Sequence, residues 1–196
     1  MKKQKPNLQA SKITIFLDRD GVINKKAPEG DYIKSSKELR LIRGAAKAIK
    51  YFNDRGFLVI IITNQRGIGK GIMTEEDFKE IMDDLQKRLK RKGAHIDAYY
   101  YCPDVDDSSL YRKPNIGMFL QAKKDFPEID FNNSFVIGDS WRDVEAGKRI
   151  GAKTVLVREE QSMEIKSDYI VGCLFDIIQE FKKHKNSEIS FNKEVL

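Results

Sequence analysis

Two aspartates separated by a single residue, Asp18 and Asp20, follow an apolar run and are the first candidates for chemistry in this chain. The run 13–17 consists of β-branched, aromatic and aliphatic residues and predicts a buried strand. Because side chains two positions apart in an extended chain point the same way, both carboxylates can converge on one reacting centre. Gly21 then lets the backbone turn sharply beside them. Acids also follow strands simply as turn formers, so the pair needs support from the rest of the chain.

Further polar side chains come where other predicted strands end or where a loop can reach them. They are Thr63, Asn64 and Gln65 after the second strand, Gly138 and Asp139 with Asp143 after the fourth, and Arg112 and Lys113 before a helix. Such a set fits phosphoryl transfer through a covalent intermediate, because a carboxylate can attack phosphorus. Carboxylates and a main-chain carbonyl suit Mg²⁺, and a hydroxyl and a lysine stabilise phosphoryl oxygens. A second acid can protonate the leaving oxygen and later activate water.

The elements that must position these groups alternate along the chain. Strands are predicted over 13–17, 57–62, 98–102, 134–137 and 153–157, with a short one near Tyr169; helices are predicted over about 45–55, 74–93, 116–125, 141–150 and 173–183. This alternation predicts an α/β fold of three layers, with a mostly parallel central sheet and helices on both faces. Ligands of such sheets bind at the carboxyl ends of the strands, where the candidate residues stand.

Composition favours one folded body between two polar tails. The length of 196 residues suggests one domain, by the usual range of roughly 100–200 residues. We place this domain at 13–183, between a flexible basic tail at 1–12 and a polar tail at 184–196. Residues 1–12 hold four lysines and no acid, and residues 182–196 hold four lysines and two acids, so these two terminal stretches account for the whole net charge of +6 and residues 13–181 are formally neutral. The body lacks the basic footprint of a nucleic-acid-binding domain, and no obligate protein partner is evident.

The two cysteines, Cys102 and Cys173, form neither a disulfide framework nor a complete zinc set. The lysine-rich N-terminus is followed by no apolar segment typical of a signal peptide. No run approaches the 18 or so apolar residues of a membrane span. We therefore expect a soluble, cytoplasmic protein.

Taken in order, these motifs resemble those of phosphatases of the haloacid dehalogenase superfamily, over roughly residues 13–160. The D-x-D-G motif matches residues 18–21, the strand-end Thr matches Thr63, the Lys before a helix matches Lys113, and G-D-x-x-x-D matches residues 138–143. The resemblance implies a Rossmann-like fold of this superfamily. It also implies Asp18 as nucleophile and Asp20 as general acid/base, with Thr63 and Lys113 stabilising charge.

The same resemblance implies a magnesium site and its surroundings. Mg²⁺ would be held by Asp18, the Asp20 carbonyl and Asp139. Asp143 and Ser140 would lie behind these ligands, where Asp143 would orient water or the metal.

Longer strings resemble one branch of the superfamily, the heptose 1,7-bisphosphate phosphatases and histidinol phosphatases. They are D-R-D-G-V-I-N, T-N-Q-R-G-I-G-K-G, Y-Y-Y-C-P and R-K-P-N-I-G-M. This branch has no large cap domain, so we expect an open site shaped by loops 24–40, 65–73 and 103–113. The residues predicted to bind substrate are Arg19, Asn64, Gln65, Lys70 and Arg112.

One loop departs from the branch, many members of which hold a structural zinc. They carry C-x-H after the third strand and C-x-C just before R-K-P, whereas here Cys102 is followed by Pro103 and Asp104, and residues 109–111 contain no cysteine. Three of the four ligands are missing, so no structural zinc is expected. The loop must be ordered by other means, and its acids Asp104, Asp106 and Asp107 are the candidates.

These features leave several functions open. The leading hypothesis is a Mg²⁺-dependent phosphomonoesterase acting on a small phosphorylated sugar, with D-glycero-D-manno-heptose 1,7-bisphosphate in nucleotide-heptose synthesis as the substrate that the resemblance implies. Histidinol phosphate and a polynucleotide 3′-phosphate are the alternative substrates. A catalytically silent phospholigand-binding protein is disfavoured, because it predicts a lost carboxylate and Asp18, Asp20 and Asp139 are all present.

Overall fold

A six-stranded parallel sheet forms the centre of the computed structural model, which describes residues 11–158 and 165–184. The strands are β1 (Thr14–Leu17), β2 (Leu58–Asn64), β3 (Ala98–Cys102), β4 (Phe135–Gly138), β5 (Lys153–Val157) and β6 (Tyr169–Val171). Their order is β3-β2-β1-β4-β5-β6, and every pair is parallel. The chain places β2 and β3 on one side of β1 and then crosses to place β4, β5 and β6 on the other side. Ligands of such sheets bind where the direction of strand addition changes, so we expect the site where β1 and β4 end side by side.

Six α-helices connect or flank the strands in the described residues. They are α1 (Ala45–Asn53), α2 (Arg66–Gly69), α3 (Glu75–Lys90), α4 (Gly117–Asp125), α5 (Trp141–Arg149) and α6 (Ile177–His184). Thr74 caps α3 by accepting a hydrogen bond from the Asp77 N–H, as the sequence predicts. The short helix α2 was not predicted.

The core lies on both faces of the sheet, as the three-layer prediction requires. Alternate residues of β1 point to opposite faces: Ile15 and Leu17 join one apolar cluster, and Phe16 joins the other. The first cluster also takes in α1, α3 and α6, and the second takes in α4. Because the sheet is covered on both faces, its central strands are almost entirely apolar.

No folded cap stands between the first two strands. The chain from residue 22 to residue 57 consists of loops and the single helix α1. The expectation of a fold without a large cap is therefore confirmed, and Asp18, Asp20 and Asp139 at the carboxyl edge of the sheet are partly exposed.

The predicted tails fall mostly outside the described residues, since positions 1–10 and 185–196 are not described. Lys12, the end of the predicted N-terminal tail, donates its N–H to the Glu128 carbonyl at 2.7 Å, so the folded body begins at or before this residue. Within residues 11–158 and 165–184, no helix has the length and apolarity that a bilayer crossing requires.

Candidate active site

Three carboxylates meet where β1 and β4 end. Asp18 directly follows β1 and donates its N–H to the Ile137 carbonyl at 2.9 Å, so it extends the pairing of these two strands. Asp139 directly follows β4, and Asp143 lies in the first turn of α5. Their side chains bring one oxygen each to within 4.8 Å of one another. Asp20, which the sequence predicts to converge with Asp18, is not part of this group of three.

Lys113 lies at the bottom of this cluster and is almost completely buried. Its ammonium is 3.0 Å from Asp18 Oδ1 and 2.5 Å from Asp143 Oδ1, and it donates to the Ile62 carbonyl at 2.6 Å. Burial alone would lower the pKa of Lys113, but the Asp143 and Asp18 carboxylates raise it well above its ordinary value. The lysine therefore stays charged and fixes the position of the Asp18 carboxylate.

Asn64 holds the backbone of this lysine in place. Its side chain accepts from the Lys113 N–H at 3.0 Å and donates to the Lys113 carbonyl at 3.1 Å. Both polar groups of the amide are thus engaged with protein. The prediction that Asn64 binds substrate does not fit these contacts, because the side chain is turned toward the loop and positions Lys113.

Asp20 is held by three residues around it. Arg19 contacts both Asp20 oxygens at 2.7 and 2.9 Å, Asn24 donates at 2.8 Å, and Gln65 donates at 3.1 Å. Burial works to raise the pKa of Asp20, but the Arg19 charge and these hydrogen bonds lower it below its ordinary value. Asp20 is therefore ionised in this structure, the state that a general base needs.

Arg19 and Gln65, also predicted to bind substrate, are nearly inaccessible to solvent. Arg19 faces Asp20 and lies 5.4 Å from the Phe78 ring centroid. The Gln65 amide donates to the Thr63 hydroxyl at 2.9 Å as well as to Asp20. These contacts orient the catalytic candidates and leave neither side chain facing the open edge of the site.

The nucleophile candidate Asp18 lies among other negative groups. Burial, opposed by Lys113 and reinforced by the neighbouring carboxylates, raises the pKa of Asp18 to about 7. Burial likewise raises the pKa of Asp139, although its ion pair with Lys26 works against the change. Oxygen donors crowded together with a surplus of negative charge are what a hard divalent cation requires. The residues present therefore fit Mg²⁺.

Ser140 is the N-cap residue of α5, and Asp143 lies in the first turn of this helix. Asp143 Oδ2 accepts from the Ser140 N–H at 3.1 Å and from the Ser140 hydroxyl at 2.5 Å. Its other oxygen is held by Lys113. Both Asp143 oxygens are thus occupied by protein groups, and its orienting role remains what the resemblance implies.

Arg112 orders the loop 103–113. Its Nε donates to Asp107 Oδ1 at 2.7 Å, and Arg66 reaches the same oxygen at 2.8 Å. Asp104 accepts from the Ser109 hydroxyl and lies 3.5 Å from the Cys102 sulfur. The expectation that acids order this loop is confirmed. Arg112 is buried and turned toward the loop, which does not fit its predicted contact with substrate.

Lys70 and Lys26 are two further basic residues exposed to solvent. Lys70, predicted to bind substrate, is exposed, and its ammonium lies 5.7 Å from the Tyr32 ring centroid. Lys26 was not predicted, and its ammonium contacts Asp139 Oδ2 at 2.5 Å. Asn24 was also missed, although it ends the D-R-D-G-V-I-N string and could have been found there.

Comparison with known proteins agrees with this geometry. The family model described as polynucleotide kinase 3 phosphatase matches residues 12–193. A D-glycero-D-manno-heptose-1,7-bisphosphate 7-phosphatase of Chlorobaculum tepidum is 36% identical over 190 residues, which span 87% of this chain and 94% of the relative. A D-glycero-beta-D-manno-heptose-1,7-bisphosphate 7-phosphatase of Haemophilus ducreyi is 34% identical over 180 residues, which span 85% of this chain and 97% of the relative.

A solved structure shares the architecture. The D,D-heptose 1,7-bisphosphate phosphatase of B. bronchiseptica, complexed with magnesium and phosphate, superposes with a TM-score of 0.79 at 26% identity and covers 88% of this chain and 99% of its own. The fold, the site geometry and these matches agree, and the chain belongs to the phosphatases of the haloacid dehalogenase superfamily, within the family described as polynucleotide kinase 3 phosphatase.

Proposed function

We propose that this chain is a Mg²⁺-dependent phosphomonoesterase that removes the 7-phosphate of D-glycero-D-manno-heptose 1,7-bisphosphate through an aspartyl phosphate on Asp18. One observation carries the chemistry: Asp18 stands at the open end of β1 with Lys113 3.0 Å behind it and Asp139 beside it. A carboxylate held in this way is positioned to attack phosphorus.

The metal would be held by the carboxylates of Asp18 and Asp139 and by the main-chain carbonyl of Asp20. When bound, Mg²⁺ supplies the positive charge that offsets the phosphate dianion and its repulsion of the nucleophile. Asp143 would hold Lys113 and the N-terminus of α5 in place behind these ligands.

In the first half of the reaction, an Asp18 oxygen forms a bond to phosphorus and the bond from phosphorus to the sugar oxygen breaks. Asp20 gives a proton to that oxygen, so the sugar leaves as an alcohol. To carry this proton, the Asp20 carboxyl must loosen its contacts with Arg19, because they favour the ionised form. The Lys113 ammonium and Thr63 hydroxyl stabilise charge at the centre.

In the second half, water attacks the phosphorus of the aspartyl phosphate and the bond to Asp18 breaks. The Asp20 carboxylate, ionised again and held by Gln65 and Asn24, takes the proton of this water. Inorganic phosphate leaves, and Asp18 returns to its carboxylate form. Asp20 releases one proton in the first half and takes up one proton in the second, and the bond from Asp18 to phosphorus forms in the first half and breaks in the second.

The choice of substrate is supported by the relatives, whose named reaction involves a sugar bisphosphate and whose matched regions span nearly their whole lengths. The open edge of the site also offers exposed cations to a second phosphate. We assign this contact to Lys70, which is exposed and has its ammonium 5.7 Å from the Tyr32 ring centroid. Neither feature requires a macromolecular substrate.

We place the reaction in the cytoplasm and without an obligate protein partner. Cys102 and Cys173 are both free thiols, which fits a reducing compartment. A phosphorylated sugar is charged and water-soluble, so the open site can take it directly from solution.

A polynucleotide 3′-phosphate is the second candidate substrate, because the matching family model is described by that activity. The formally neutral body of residues 13–181 argues against it, since nucleic-acid affinity depends on clustered basic charge.

The experiment is phosphate release in Mg²⁺ over a panel containing both anomers of heptose 1,7-bisphosphate, histidinol phosphate and a 3′-phosphorylated oligonucleotide. We expect kcat/KM for one heptose bisphosphate to exceed the others by about 100-fold, which corresponds to about 2.7 kcal/mol of transition-state discrimination. Equal rates across the panel, or a higher rate with another substrate, would reject the substrate and keep the chemistry.

A further inference from the structure

Lys26 makes an ion pair that none of the family motifs explains. Its ammonium lies 2.5 Å from Asp139 Oδ2, although its side chain is 54% exposed whereas that of Asp139 is 12% exposed. The pair joins a rim residue to one of the carboxylates that fit Mg²⁺. The lysine therefore reaches inward from solvent to the centre of the site.

The segment just before Lys26 is held by hydrogen bonds to Asp20 and to the backbone of residue 40. Asn24 donates from its amide to Asp20 at 2.8 Å and to the Lys25 carbonyl at 2.9 Å. The Lys25 N–H in turn donates to the Arg40 carbonyl at 2.8 Å. The backbone just before Lys26 is thus anchored in part by the Asn24 amide that also holds Asp20, while the side chain of Lys26 is 54% exposed.

Gly21 opens the path between the loop and Asp139. A methyl group at this position would overlap the Asp139 carboxylate and would lie 2.8 Å from Cε of Lys26. The aliphatic part of Lys26 therefore passes directly over Gly21 on its way to Asp139. This route is available because residue 21 has no side chain.

From this arrangement we infer that Lys26 is an exchangeable cation: it neutralises Asp139 in the metal-free enzyme, gives way to Mg²⁺, and then binds the phosphate of the substrate. Two cations on the same carboxylate repel each other, and the exposed one can move. Once displaced, the ammonium remains tethered beside the site, where the substrate's phosphate dianion is the strongest available partner. This inference rests on the proposed function, because it assumes that the site binds Mg²⁺ and a phosphorylated substrate.

The first test is a calorimetric titration of the full chain with Mg²⁺ alone. Lys26→Met removes the competing ammonium and should tighten Mg²⁺ binding by about two- to fivefold, as expected for the loss of a partly exposed ion pair. Lys25→Met is the matched control, because it removes the same charge from the adjacent exposed residue, which has no ion pair with Asp139. Equal changes in both variants, or weaker Mg²⁺ binding in Lys26→Met, would overturn the exchange.

The second test is binding of inorganic phosphate in saturating Mg²⁺. Lys26→Met should weaken phosphate binding by about five- to tenfold, in the range of a charge-assisted hydrogen bond, and Lys25→Met should change it by less than about twofold. Unchanged phosphate binding in Lys26→Met would overturn the second role of the lysine. Thermal unfolding of each variant shows that the fold is retained.

Failure of this inference is distinguishable from failure of the proposed function. Both titrations use Mg²⁺ and phosphate only, so their outcome does not depend on which sugar is hydrolysed. If the wild-type chain binds no Mg²⁺, the proposed function fails. If it binds Mg²⁺ and the two lysine variants behave alike, only the assignment of Lys26 fails.

Discussion

Replacing Asn64 by alanine separates two roles for this residue, substrate binding and positioning of Lys113. The substitution removes both side-chain hydrogen bonds to the Lys113 backbone, which measure 3.0 and 3.1 Å. Each such bond contributes about 0.5–1.5 kcal/mol, so we expect the free energy of unfolding to fall by about 1–3 kcal/mol. In a chain of this size, a loss of about 2 kcal/mol lowers Tm by about 4–8 °C.

The effect on catalysis follows from what Lys113 holds. Its ammonium spans Asp18, Asp143 and the Ile62 carbonyl, so a shift of its backbone moves the nucleophile. A displacement of about 1 Å can cost on the order of 100-fold, and we expect kcat to fall by about 10- to 100-fold. Because no substrate contact is lost, KM should change by less than about threefold.

Asn53 provides the matched control. It makes the same pair of side-chain hydrogen bonds to a backbone, with the His95 N–H at 2.9 Å and carbonyl at 3.2 Å, at the end of α1. Asn53→Ala should lower stability by about 1 kcal/mol or less, since this pair is exposed, and should leave kcat unchanged. Steady-state kinetics and thermal unfolding of both variants give the answer. A raised KM in Asn64→Ala, with unchanged kcat and Tm, would refute the positioning role.

Three other substitutions test the account. Lys113→Met leaves two buried carboxylates without their counter-ion and should cost about 3–5 kcal/mol in urea unfolding; a loss below about 1 kcal/mol would contradict this burial argument. Gly21→Ala places a methyl group against Asp139 at a φ of +88° and should raise the Mg²⁺ concentration for half-maximal activity by about tenfold or more, and an unchanged requirement would argue against this metal ligand. Burial works to raise the pKa of Asp168, but hydrogen bonds from Thr154 lower it below 3.8, so Asp168 stabilises the fold above that pH. The stability advantage of wild type over Asp168→Asn should therefore shrink as pH falls below about 4, and a constant difference in unfolding free energy would contradict it.

The convergence of Asp18 and Asp139 was predictable because it follows from topology. Acids that come directly after parallel strands share one edge of the sheet, and the apolar runs of these strands are clear in the sequence. Lys113 was found through its motif, but its contact with Asp143 depends on how a distant loop packs. The strand-end acids could therefore be placed at one edge of the sheet from the sequence, whereas the contacts of Lys113 could not.

The orientation of the neighbouring polar residues was not predictable in the same way. Strand β2 continues through Asn64, so Thr63 and Asn64 point to opposite sides. Asn64 finds its partner 49 positions along the chain, at Lys113. No local pattern records such a pairing. Helix α2 was missed because two glycines in its four residues are typical of a loop.

The contact of Lys26 with Asp139 could not be predicted from the sequence motifs. It follows D-x-D-G by only five positions, yet a lysine in a polar loop is most often solvated, and nothing in the sequence indicates a reach toward Asp139. The contact exists because Gly21 leaves room for it, a feature visible only in three dimensions.

The central claim is that the Asp18 carboxylate is the nucleophile of a phosphatase. The most direct measurement is phosphate release from heptose 1,7-bisphosphate in Mg²⁺ by wild type and Asp18→Asn, with far-UV circular dichroism to show that both are folded. We expect kcat to fall by at least about 10⁴-fold in the variant, because the nucleophile is lost. Activity within about tenfold of wild type in a folded Asp18→Asn variant would contradict the covalent mechanism.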